Sequence, residues 1–180
     1  SGNFCCMRID CALNIILIGM PGAGKSTVGV LLAKRLGYNF VDTDLLLQSQ
    51  QQCRLQQLIA REGLENFKAI EEQVLIELAT THSVVATGGS AVYSERAMGR
   101  LRTLGQLVFI DIPLEELLGR VHDMDNRGLV IGPNETYENL YKERLPLYQK
   151  YAEVTIPGGG MTVEAVAAEI EKSVCGDTDE

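Results

Sequence analysis

The sequence predicts an α/β layered domain built on a parallel sheet with right-handed crossovers. Three observations carry that prediction. Five short runs of strand length recur along the chain. Stretches with apolar residues at helical spacing separate them. The runs at 14–18 and 107–112 are apolar almost throughout rather than alternating, as strands covered on both faces are.

Taken in order, Asn14 to Ile18 (NIILI) is the first buried strand. A helix over 25–36 follows, with Val28, Leu31, Leu32 and Leu36 on one face and Gly37 placed to end it. Residues 39–41 form a short second strand, and a helix is expected to begin near Leu45. The stretch 66–79 is amphipathic, with Phe67, Ile70, Val74, Leu75 and Leu78 inward. Residues 83–86 are a third strand, closing on Thr87-Gly88-Gly89. The run LVFIDI at 107–112 is a fourth, followed by a helix over about 113–121 with Pro113 in its first turn. Residues 123–135 are polar and glycine-bearing, so they read as a loop. Helix follows over 136–151, which Pro146 should kink or shorten. Residues 154–156 make the last strand, and Thr162 caps a final helix through Ser173. No repeat or linker interrupts this order, so residues 1–180 are expected to form one domain with a frayed tail at 176–180.

Composition narrows the partners. The chain has 180 residues, of which 46% are hydrophobic and 22% charged, as globular domains are. Sixteen basic residues against 24 acidic ones give a net charge of −8. That argues against a general nucleic-acid or anionic-membrane surface but leaves room for a local basic pocket. No stretch approaches the ~18 apolar residues of a membrane span, and the first residues lack the pattern of a signal peptide. Five cysteines, at 5, 6, 11, 53 and 175, are odd in number and fit no zinc spacing, so they read as reduced thiols. A cytoplasmic protein, without nucleic-acid or membrane partners and monomeric, is the expectation.

The chemistry concentrates after the first strand. Gly19-x-x-x-x-Gly24-Lys25-Ser26 has the spacing of a phosphate-binding P-loop, and it lies between a strand and a helix as that motif requires. Its glycines let successive N–H groups point inward as an anion nest. The helix that starts there adds its positive end. Lys25 reaches terminal phosphates as a point charge, and Ser26 offers a hydroxyl to Mg²⁺. Asp42 and Asp44 follow the second strand, at the sheet edge where ligands of parallel sheets bind. Residues two apart on an extended segment face the same way, so one carboxylate is free for a metal shell and the other for an acceptor hydroxyl. Capping of the next helix is the alternative use of either. Gly88 and Gly89 reach the same edge and permit close backbone approach to a ligand. Between Arg120 and Thr136 lies a polar loop where a lid would lie, and Arg127 is its candidate for neutralising developing charge. His82 and His122 have no partner spacing and read as structural or solvent-facing.

These residues resemble the shikimate kinases, small P-loop kinases of the nucleoside-monophosphate-kinase type. The likeness runs from Asn14 to about Ile170. It rests on GMPGAGKSTVG, DTD, Phe67-x-x-x-Glu71, TGG, the paired lid arginines and RLPLY at 144–148. It implies a three-layer P-loop kinase fold with a five-stranded parallel sheet and a mobile lid over about 121–135. It implies ATP with Mg²⁺, and phosphorylation of a shikimate hydroxyl to give shikimate 3-phosphate and ADP. By the same resemblance Gly22, Ala23, Gly24, Lys25, Ser26 and Thr27 hold ATP phosphates and metal, with Asp42 in the magnesium shell. Asp44 holds the acceptor hydroxyls, Gly88 and Gly89 line the acceptor pocket, Arg120 lies against the adenine, Arg127 is the lid arginine and Arg144 clamps the acceptor carboxylate. Lys25, Asp44 and Arg127 are then the catalytic set.

Four positions depart from the family pattern. Lys68 replaces an arginine on the acceptor side, and a planar fork becomes a point charge. By itself Lys68 also reads as an ordinary helical ion pair with Glu71 or Glu72. Ser90 replaces the third glycine of a triple, Gly128 replaces a proline after the lid arginine, and PGGGMT lacks the arginine of the adenine loop. Nucleotide positions match better than acceptor positions. The acceptor therefore stays open between shikimate and another small hydroxy acid or polyol, with a nucleotide-binding module lacking catalysis as a further alternative.

Overall fold

The structure, a computed structural model, describes residues 13–121 and 134–176. Arg127, His122, Gly128 and most of the expected lid lie outside those residues, as do Cys5, Cys6, Cys11 and the last four positions.

Five strands form one parallel sheet in the order β2-β3-β1-β4-β5. They are β1 (Asn14–Ile18), β2 (Asn39–Asp42), β3 (Ser83–Ala86), β4 (Gly105–Asp111) and β5 (Val154–Pro157). Central β1 pairs Ile15 with Val84 on one side and with Gln106 on the other. Every residue of β1 is buried, so helices cover both faces of the sheet. Those helices are α1 (Lys25–Leu36), α2 (Thr43–Gln51), α3 (Leu55–Glu62), α4 (Leu64–Glu77), α5 (Glu95–Leu104), α6 (Leu114–Val121), α7 (Tyr137–Tyr151) and α8 (Val163–Cys175). Helices α1 and α8 pack together, as do α4 and α5. Among the described residues no helix is long and apolar enough to cross a membrane.

One buried polar residue sets the start of the sheet. Asn14 donates from Nδ2 to the carbonyls of Thr80 (2.8 Å) and Leu104 (3.0 Å), and its Oδ1 accepts from the Ser83 amide at 3.0 Å. It satisfies three backbone groups where β1, β3 and the end of α5 meet, groups that are costly to bury unpaired.

Several expectations are corrected. Helices α3 and α5 were not expected. The first offers only Leu55 and Leu58 as fully buried residues, in a glutamine-rich stretch. They join Leu47, Phe67 and Val74 in a small core of their own. The second is short and charged, and buries Ala97, Met98 and Leu101. Its signal was present: Ser94 caps it by accepting from the Ala97 amide. Helix α2 begins at Thr43 rather than near Leu45, because Asp42 Oδ1 accepts from the amides of Asp44 and Leu45. Asp42 is thus a cap and Asp44 a first-turn residue, so the two do not share an extended segment. Pro146 does not shorten α7, which runs through it to Tyr151. It stands on the exposed face beside exposed Lys142, whose carbonyl loses its helical donor. Water can take that donor's place there.

Candidate active site

The C-terminal ends of β1, β2 and β3 deliver three segments to one edge: the glycine-rich loop, Asp42 with Asp44, and Thr87-Gly88-Gly89. The loop turns at Gly22 (φ 87°) and Gly24 (φ 89°), left-handed conformations in which a side chain is strained. Gly24 then starts α1, with no side chain capping the helix amides. Those amides face an anion site with the helix dipole behind them. Ala23 is buried within the loop, and Ser26 and Thr27 are exposed in the first turn of α1.

Lys25 is buried and folds back on its own loop. Its Nζ donates to the carbonyls of Gly19 and Met20, both at 2.8 Å. Burial pulls its pKa down to about 8, with Arg144 adding to the effect and Asp44 and Asp42 opposing it. A buried cation between carboxylates, beside a nest of amides, is a site that gains from an arriving polyphosphate.

Ser26 Oγ donates to Asp42 Oδ2 at 2.7 Å. This hydroxyl–carboxylate pair of hard oxygens, next to the anion nest, suits Mg²⁺, which takes few protein ligands and completes its shell with water and phosphate. The capping role of Asp42 uses the other carboxylate oxygen, so the two roles coexist.

Asp44 is half-buried and faces Gly88. A Cβ on Gly88 would stand 2.8 Å from Asp44 Oδ1 and 2.7 Å from Glu71 Oε2. Burial raises the Asp44 pKa, Asp42 raises it further, and Lys25 opposes them. Glu71 is buried on α4 and pushed up to about 7, mainly by burial, with Asp44 adding; the Ser90 hydrogen bond, Arg144 and Lys68 oppose. Ser90 Oγ donates to Glu71 Oε1 at 2.6 Å.

A Cβ on Gly89 would approach Arg144 Nη1 and Pro21 Cδ, each to 2.8 Å. The absence of side chains at Gly88 and Gly89 therefore lets Asp44, Glu71, Arg144 and Pro21 of the P-loop close on this stretch of backbone. Arg144 is 2% exposed, and its Nε donates to Tyr93 Oη at 3.1 Å. Two tyrosines of α7 tie it to these loops: Tyr137 donates to Pro21 O (2.5 Å) and Tyr148 to Gly89 O (2.8 Å).

Lys68 departs from the helical ion-pair reading. Glu72 is engaged by Ser94 and Arg96, and Glu71 by Ser90. Lys68 Nζ instead lies 4.7 Å from the centroid of the Tyr93 ring. Arg120 reaches the outer side of the P-loop, donating to Gly22 O at 3.0 Å and to Glu116 Oε1 at 2.7 Å. Glu116 Oε2 accepts from the Gly160 amide at 3.0 Å, joining α6 to the loop after β5.

The structure thus brings together Gly22, Ala23, Gly24, Lys25, Ser26, Asp42, Asp44, Gly88, Gly89, Arg144 and, at the margins, Lys68 and Arg120. Sequence reasoning left Glu71 out of the candidate site although it named the residue in a motif. Its signal was a charge at helical spacing from Phe67, Val74 and Leu75 on the buried face of α4. Tyr93 and Tyr137 carried no local signal, since an aromatic near a helix is ordinarily core, and Tyr148 stood in the RLPLY motif without a role assigned to it.

Comparison with known proteins converges on one family. A family model described as shikimate kinase matches residues 21–175. A shikimate kinase of Gloeobacter violaceus is 42% identical over 161 residues, 87% of this chain and 89% of that protein. Among solved structures, a shikimate kinase from Acinetobacter baumannii in complex with shikimate superposes with a TM-score of 0.84 and 32% identity, covering 91% of this chain and 93% of that one. A shikimate kinase from Aquifex aeolicus gives a TM-score of 0.77 and 34% identity, covering 92% and 100%.

Proposed function

The chain belongs to the shikimate kinase family, and from that premise we propose that it transfers the γ-phosphoryl group of ATP to a ring hydroxyl of shikimate, giving shikimate 3-phosphate and ADP. The observation that carries this reading is the meeting of Asp44, Glu71 and Arg144 around Gly88 and Gly89, beside a buried P-loop lysine. An acceptor with both hydroxyls and a carboxylate finds there an acceptor of protons and a guanidinium.

The acceptor hydroxyl attacks the γ-phosphorus in line. An O–P bond forms, the bond to the β–γ bridging oxygen breaks, and that oxygen leaves with ADP. Asp44 orients the hydroxyl and takes its proton; burial makes it a better base than an exposed aspartate. Amides of 22–27 and Lys25 hold the β- and γ-phosphates and offset charge on the transferring group. Ser26 and Asp42 would hold Mg²⁺, which would supply positive charge to offset that of the phosphates. Arg144 fixes the carboxylate end, Arg120 borders the adenine, and Arg127 offsets charge on the transferring group. One catalytic domain spans 1–180. Its net charge of −8 disfavours a general nucleic-acid or anionic-membrane partner, and cysteines that fit no zinc or disulfide pattern favour the cytoplasm.

The test is ADP release in a coupled assay with and without shikimate. Wild-type protein should show release that depends on shikimate and saturates with it. Lys25→Ala should lower turnover about 10³-fold or more while keeping its circular dichroism spectrum. Shikimate-independent release, or retained turnover in that variant, overturns the reading. Lys68 and Ser90 favour a second reading, in which the acceptor is another small hydroxy acid or polyol. A panel of acceptors assayed with ATP separates the two.

A further inference from the structure

Two cations share one ring beside the Gly88-Gly89 stretch. Tyr93 ends the short turn of 3₁₀-helix at Ala91–Tyr93, directly after Gly88-Gly89-Ser90. Lys68 Nζ, from α4, lies 4.7 Å from the ring centroid, and Arg144 Cζ, from α7, lies 5.2 Å from it. The Tyr93 hydroxyl also accepts from Arg144 Nε at 3.1 Å. One aromatic side chain thus joins three segments distant in sequence.

The arrangement is unusual in an acidic protein. Asp and Glu number 24 against 16 Lys and Arg. Yet neither Lys68 nor Arg144 is a member of the ion pairs among the described residues. Like charges gathered on one ring repel each other, and the negative π face only partly offsets that. Such a pair is stabilised when an anion arrives between its members. Two carboxylates stand nearby: Glu71, whose pKa burial raises and Arg144 and Lys68 lower, and Glu143, which bonds the Tyr93 hydroxyl. Neither forms an ion pair with Lys68 or Arg144.

We propose that Tyr93 is a positioning residue that fixes Lys68 and Arg144 as a two-cation clamp for the carboxylate of the acceptor. This rests on the shikimate reading above. A lysine is a point charge on a four-carbon stem with many rotamers. The ring gives that ammonium a fixed seat, and the phenolic oxygen fixes the turn of the guanidinium. The order lost without a planar fork at position 68 is recovered from a residue that itself touches no substrate. Tyr93 therefore acts on acceptor affinity and on discrimination for the carboxylate, not on the nucleotide.

The test compares wild type, Tyr93→Phe, Tyr93→Leu and Tyr93→Leu combined with Lys68→Arg. Each is assayed for KM and kcat with ATP, with shikimate and with shikimate methyl ester, and melted to confirm folding. Tyr93→Leu should raise KM for shikimate about tenfold, leave KM for ATP unchanged, and narrow the preference for shikimate over its ester. Tyr93→Phe, which keeps the ring but not the acceptor oxygen, should fall between. Lys68→Arg should restore much of the loss in the Tyr93→Leu background, because its fork carries its own order. Unchanged discrimination in Tyr93→Leu, or equal rises in KM for both substrates, overturns the clamp and leaves the function standing. No shikimate-dependent turnover by wild type overturns the function and the clamp with it.

Discussion

At the residue scale, the site is governed by charges taken out of water. Lys25 and Glu71 are pulled toward neutrality by burial, to about 8 and about 7. For Glu71 the sign is clear. Its carboxyl ionises near 4.5 when unfolded and near 7 when folded, so the unfolded chain releases its proton first as pH rises. The stability this group contributes is complete below pH 4.5 and is lost as pH climbs through about 7, on the order of 3 kcal/mol. Glu71→Gln should remove that loss. Melting temperatures of the two proteins should diverge between about pH 5 and about pH 8, with the variant the more stable at the upper end. Parallel melting curves across that window would sink the assignment. Burial likewise raises the pKa of Asp44, with Asp42 adding and Lys25 opposing.

At the element scale, strand ends place the site and a few polar side chains hold the strands. Asn14 is the clearest case: its amide joins the beginnings of β1 and β3 to the last turn of α5. The P-loop, five residues further along, inherits its place from that junction. Asn14→Ala removes three hydrogen bonds and leaves three backbone groups buried. It should lower unfolding free energy by about 2–4 kcal/mol in a urea titration. A loss below about 0.5 kcal/mol would mean water already serves those groups. Elements also reveal where pattern reading stops. Gly24, Lys25 and Gly37 announced the limits of α1, because its phosphate loop and C-cap are local. Helix α3 was silent, since Leu55 and Leu58 acquire a buried face only when α4 brings Phe67 and Val74 against them. Pro146 misled for the opposite reason: its cost depends on whether the freed carbonyl meets water, and exposure is a tertiary property.

At the scale of the whole molecule, an acidic composition coexists with a local cluster of cations. The net charge is −8, while Lys68 and Arg144 meet over Tyr93 and Lys25 lies in the P-loop near Arg144. The large hydrophobic side chains exposed among the described residues, Leu13, Val30 and Leu45, stand before β1, on α1 and on α2, singly rather than as a patch. Sedimentation equilibrium should therefore find one species near 19.7 kDa, and a mass of twice that would show that a surface outside this description is used. By itself the sequence determined the α/β order, the P-loop and the positions of Asp42, Asp44, Gly88, Gly89 and Arg144, because strand runs, anion nests and glycine turns are written in neighbouring residues. Only the tertiary structure decided that Asp42 caps while Asp44 faces Gly88, that Glu71 loses its water, and that Lys68 and Arg144 meet over Tyr93. Those facts depend on desolvation and on contacts between segments far apart in the chain, and no local pattern encodes either.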